Sequence, residues 1–126
     1  GEVDEFINSA DGDADMAPLI EGLTTLKAQL QEATTWLMQN GMTDFNNAGA
    51  SSHDYLHLFG LTGLAFMWAK MAKIALEKKA AGDPFYEEKL TTGYYFVDRM
   101  VPDGAAHLAK VKTGAKSMMA LPAEAF

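Results

Sequence analysis

The sequence predicts an all-α domain, an antiparallel up-down-up-down four-helix bundle with helices over roughly 16–40, 52–81, 84–101 and 103–120. Three observations carry that expectation. Apolar residues recur at spacings that alternate between four and three, the period of a helix face. No run shows the strict apolar–polar alternation of a half-buried strand. Glycine and proline punctuate the chain at short intervals, so that every connection is brief except a stretch rich in Asn and Gly at about 41–50. Short links between successive helices favour antiparallel neighbours.

The first helix is predicted to start after Asp15 as N-cap, with Pro18 in its first turn, and to stop at Asn40-Gly41. Its core stripe is Leu19, Leu23, Leu26, Leu30, Ala33 and Leu37, with Trp36 on the flank. The second is expected to begin at Ser51 or Ser52, because Ser51-Ser52-His53-Asp54 fits a capping box, and to end at Ala81-Gly82. Lys70, Lys73, Lys78 and Lys79 gather in its last turns, where the carbonyl end of the helix dipole favours positive charge. The third takes Asp83 as N-cap and Pro84 in first position, presents Tyr86, Leu90, Tyr94, Val97 and Val101 inward, and must stop before Pro102. The fourth carries Ala105, Leu108, Val111, Ala115 and Met118 inward until Pro122. Residues 1–15 read as an acidic linker or a short N-terminal helix, and 16–126 as the bundle.

With 126 residues, 48% hydrophobic and 21% charged, the chain is one globular domain in size and composition. Its net charge of −7 is local: six acids (Glu2, Asp4, Glu5, Asp11, Asp13, Asp15) precede residue 16 without an opposing base, and the rest nearly balances. The body therefore lacks the basic field that nucleic-acid binding needs. Absence of cysteine excludes disulfides, thiolate metal sites and thiol nucleophiles, and leaves a cytoplasmic location as the expectation. The longest uncharged run, Tyr55 to Ala69, is shorter than the roughly 20 residues of a membrane span. An opening glycine with no signal-peptide pattern behind it reads as the start of an excised piece of something longer.

Few motifs invite chemistry. His53 and His57 lie four apart on one helix face with Asp54 between them, close to the zinc pattern H-E-x-x-H, but Asp stands where the glutamate base belongs and no third ligand follows. A helix start with Asp54 capping and two partly exposed histidines explains them. Asp11-Gly12-Asp13-Ala14-Asp15 begins like a calcium loop, yet Met16 and Gly22 occupy the positions that require glycine and glutamate. No glutamate is followed three residues later by histidine, as a di-iron centre would need, and no serine elbow or phosphate-binding glycine loop occurs. The eight methionines read first as core filling. The alternative is a promiscuous groove built by Met67, Met71, Met100, Met118 and Met119. Of Tyr94, Tyr95 and Phe96, consecutive on a helix, at least one must face outward.

Several short runs nevertheless form a pattern: Ala33-Thr34-Thr35-Trp36-Leu37-Met38, Asp54-Tyr55-Leu56-x-Leu58-Phe59-Gly60 and Met67-Trp68-Ala69-Lys70-Met71-Ala72. With Phe85-Tyr86-Glu87-x-Lys89-Leu90 and Met119-Ala120-Leu121-Pro122, they resemble the extra C-terminal domain of bacterial FAD-dependent acyl-CoA dehydrogenases over about residues 3–126. His53, His57 and the Asp11–Asp15 stretch lie outside that pattern. The resemblance implies a parent enzyme that removes hydrogens from the α and β carbons of an acyl-CoA thioester with FAD. It also implies that the glutamate base and the FAD and CoA contacts belong to upstream domains. No catalytic, cofactor-binding or metal-binding residue is therefore expected in this chain, which reads as a noncatalytic structural domain. The competing expectation is a free-standing helical adaptor that binds a partner helix through a methionine-rich surface.

One feature of the second helix points to a partner. Between Tyr55 and Ala69 only His57 and Thr62 are polar, so no solvated face can be drawn. Tyr55, Phe59, Thr62 and Phe66 lie on one side, and Leu61, Leu64, Trp68 and Met71 roughly opposite. The expected interface is an exposed patch of Leu64, Trp68 and Met71, covered by upstream domains of the parent, by a second subunit, or by the N-terminal segment with Phe6 and Ile7.

Overall fold

The computed structural model describes residues 1–126 and contains five α-helices: α1 (Glu2–Ser9), α2 (Ala17–Asn40), α3 (Phe45–Lys78), α4 (Pro84–Arg99) and α5 (Asp103–Thr113). It has no strand, so the all-α expectation holds, with the four main helices in the anticipated order.

Local chemistry explains most helix ends. Asp83 caps α4 by accepting the Phe85 amide at 3.0 Å, with Pro84 in first position, as its sequence requires. Gly82, at φ +86°, supplies the left-handed turn that separates α3 from α4. Two expectations about the ends of α3 and α5 are corrected. α3 starts at Phe45 rather than Ser51 or Ser52, because the Asp44 side chain accepts the Asn46 amide at 2.9 Å and recruits the Asn- and Gly-containing stretch into the helix. Ser51 is consequently interior, fully buried, and donates its hydroxyl to the Val111 carbonyl at 2.7 Å. α5 ends at Thr113, well short of residue 120, because Gly114 turns to φ +62° and the following Ala115 amide donates to Asn47 Oδ1 at 3.0 Å. Met118 is therefore exposed rather than in the core. At the other end of the chain, Asp15 does not cap α2: buried Met16 occupies that position, and the Asp15 carbonyl accepts the Tyr94 hydroxyl at 2.9 Å.

The course of the helices follows from which residues meet. Along α2 and α3, Asn40 pairs with Asn47, Thr34 with Tyr55 and Leu26 with Thr62, so these two are antiparallel. Along α3 and α4, Lys78 lies over Tyr86 and Trp68 over Phe96; along α3 and α5, Asp54 meets His107 and Ser51 meets Val111. Both α4 and α5 thus run antiparallel to α3, and the strict up-down-up-down order fails at its last step. The reason is length. α3 has 34 residues and spans about 51 Å, whereas α4 has 16 and covers about 24 Å of it. The chain bends at Met100–Pro102 without reversing, and α5 continues alongside the remaining half of α3.

The core stripe of α3 is Ser51, Leu58, Thr62, Ala65, Ala69 and Ala72, continued by Ala75. Small residues in this row let α2, α4 and α5 approach a common helix. Bulkier neighbours are displaced to the flanks: Phe66 and Trp68 are half-buried, whereas Leu56, Phe59, Leu64, Met67 and Ile74 are exposed. Core filling by methionine is corrected as well. Only Met16 of the eight is buried, because helices with alanine seams leave no irregular gaps for long side chains to fill. By length and mean hydropathy α3 could cross a bilayer, but it is the helix on which α2, α4 and α5 all pack.

Candidate functional site

Three features could carry function. The first is the histidine cluster. His107, from α5, joins the pair on α3: its Nδ1 lies 2.8 Å from Asp54 Oδ1, and its ring stacks on His57 with centroids 5.3 Å apart. His57 in turn lies 4.2 Å from His53, and its Nδ1 faces the His53 carbonyl at 2.9 Å. Asp54 therefore does not cap a helix; it fixes a histidine that the spacing on α3 alone could not reveal. Ring-nitrogen lone pairs lie in the ring planes, so rings arranged face to face direct them side by side and not toward one ion. No group of three or more ligands in the structure converges on a metal position. The Asp11–Asp15 stretch is likewise a turn, in which Asp13 Oδ1 accepts the Asp15 amide at 3.0 Å.

The second is the patch anticipated on α3. Leu64 is 47% exposed, beside Met67 and the open positions Gly60 and Gly63. Trp68 and Met71 are half-buried. Trp68 stacks on Phe96 with centroids 6.2 Å apart, lies close above Gly93 and carries the Lys89 ammonium 5.1 Å from its ring centre. The three residues named for the interface are thus unequal: Leu64 faces outward, while Trp68 is chiefly part of the α3–α4 contact.

The third was not visible in the sequence. Between the end of α2 and the first half of α3 opens a cleft of about 730 Å³, walled by Leu37, Met38, Met42, Phe45, Leu56 and Phe59. No ionised side chain lines it. On its floor the Thr34 and Tyr55 hydroxyls bond at 2.7 Å. The cleft lies on the same faces of α2 and α3 that α1 covers two turns away: Lys27 pairs with Asp4 as Thr34 lines the cleft, and Phe66 meets Phe6 edge-on at 5.7 Å as Phe59 lines it. The N-terminal segment therefore does cover apolar surface of α3, but around Phe66 rather than around Leu64. The Lys27 ammonium bonds Asp4 and holds that carboxyl below its usual pKa. Reading residues 41–50 as a loop concealed the cleft, since Phe45 becomes a wall residue only once Asp44 starts the helix there. An acidic residue directly before an aromatic one was the available signal.

None of these features is a catalytic constellation, and the buried hydroxyls of Ser51 and Thr62 are both spent on backbone carbonyls. Comparison with known proteins supplies the assignment. No curated protein sequence matches the chain. The sequence profile of the family described as "Acetyl-CoA dehydrogenase C-terminal like" matches residues 1–122, taking in α1 to α5 and the turns after Gly114. A helical domain with these elements, matched from its first helix to beyond its last, belongs to the acetyl-CoA dehydrogenase C-terminal-like family.

Proposed function

We propose that the chain is the noncatalytic C-terminal structural domain of a flavin-dependent acyl-CoA dehydrogenase that works in the cytoplasm. In that enzyme the preceding domains hold FAD, and remove hydrogens from the α and β carbons of an acyl-CoA thioester. The family match over residues 1–122 carries this reading. The surface chemistry agrees with it. The cleft between α2 and α3 is lined by apolar and neutral side chains and presents no charged group. Leu64, with the outer edges of Trp68 and Met71, forms the face toward the flavin-bearing domains. The test is direct: purified residues 1–126 are titrated with FAD and assayed for acyl-CoA oxidation with an artificial electron acceptor. A colourless, inactive protein is expected. A stoichiometric flavin spectrum or turnover of acyl-CoA by the chain alone overturns the proposal.

Six exposed methionines favour the adaptor as a second reading. The reading frame upstream of this segment in its native gene separates the two: a flavin-enzyme sequence there removes the adaptor.

A further inference from the structure

The cleft between α2 and α3 has features that identify its occupant. Met38, Met42, Phe45, Leu56 and Phe59 surround it with 70%, 73%, 77%, 67% and 57% of their surfaces free. Large side chains carry roughly 150–250 Å² each, so the patch offers on the order of 700 Å² of apolar surface. That exceeds the roughly 300–600 Å² of the largest patch on a typical monomer and approaches the roughly 800 Å² per partner of a standard interface. The same patch holds both a hollow and the projecting side chains that could fill one. A twofold interface requires such self-complementarity, because each surface must serve as donor and acceptor at once.

Charge points the same way. The chain carries −7, and two copies repel wherever their acids approach. Six of those acids precede residue 16, beside the start of α2 and the second half of α3, while the cleft lies where α2 ends and α3 begins. Apposing two clefts brings together hollows lined by no ionised side chain, with the Asp44 carboxylate at the edge engaged by the Asn46 amide, and keeps the N-terminal acidic segments apart. We infer that the α2–α3 cleft is a self-association site, in which a second copy of this chain packs its Met42 and Phe45 into the hollow and receives the same residues in return. This goes beyond the proposed structural role and does not depend on the flavin.

Sedimentation of the 126-residue chain over about a hundredfold range of concentration tests it. The expected result is a monomer–dimer equilibrium that Phe45→Glu and Leu56→Glu each weaken by at least about tenfold in Kd. Phe45 follows the Asp44 cap at the first position of α3, where an acid suits the helix dipole, so the variant keeps its fold and its far-UV circular dichroism. Ile74→Glu, at an exposed position on the second half of α3 outside the cleft, is the control and leaves the equilibrium unchanged. A chain monomeric throughout overturns the inference, as does a dimer indifferent to both cleft variants. A monomer whose binding to the separately purified flavin-bearing domains is lost in Phe45→Glu also overturns it, and assigns the cleft to those domains.

Discussion

Gly104 shows how much a single position can carry. A Cβ there would stand 2.5 Å from Gln29 Oε1 and overlap the Leu26 side chain, because the first turn of α5 rests directly on α2. Gly104→Ala is expected to destabilise the domain by about 1–3 kcal/mol, the range for overpacking a closed contact, despite alanine's better helix propensity. Thermal unfolding measures it; an unchanged or raised Tm would show that α5 can shift away from α2. The sequence contains no hint of this constraint. Gly60 and Gly63, equally helical, have open space where a Cβ would be, and only the neighbouring chain separates the two cases. Ser51 is similar. Its place beside Asp54 satisfies a capping pattern, yet its hydroxyl serves the Val111 carbonyl on another helix.

Among the elements, α3 depends most on a local signal. Asp44 takes extended backbone angles, φ −143° and ψ 106°, and its carboxylate satisfies an amide of the first turn. Asp44→Ala is expected to cost about 1 kcal/mol and to fray the helix toward Ser51, which hydrogen exchange of the amides from 47 to 51 would register. If those amides stay as protected as in the parent chain, tertiary packing alone holds this end. α4 illustrates the opposite situation, in which Gly82, Asp83 and Pro84 form a start signal strong enough to set the boundary from sequence. Its three adjacent aromatics divide as helix geometry demands: Phe96 is buried, Tyr94 half-buried and Tyr95 exposed.

At the scale of the whole molecule, one hydroxyl ties the acidic N-terminal segment to the bundle. Tyr94 donates to the Asp15 carbonyl, and burial, followed by the nearby charges of Asp15 and Asp13, raises its pKa above the usual 10.0. A raised pKa means that the folded state favours the neutral phenol. The contribution is fully present below the unfolded value of about 10 and disappears as pH rises through the folded one. Alkaline unfolding of the parent chain should therefore lose a component that Tyr94→Phe lacks; identical pH profiles for the two would remove the phenol from the account. The sequence by itself determined the all-α class, the four main helices and their inward stripes on α2 and α4, because period and punctuation are local properties of a chain. It also carried the family resemblance, in short runs on α2, α3 and α4. Tertiary structure decided the rest. The direction of α5, the use of alanines rather than the bulky residues of α3 as its seam, and the cleft at Phe45 depend on relative helix lengths and on how closely neighbours approach. Those quantities exist only between segments distant in the chain.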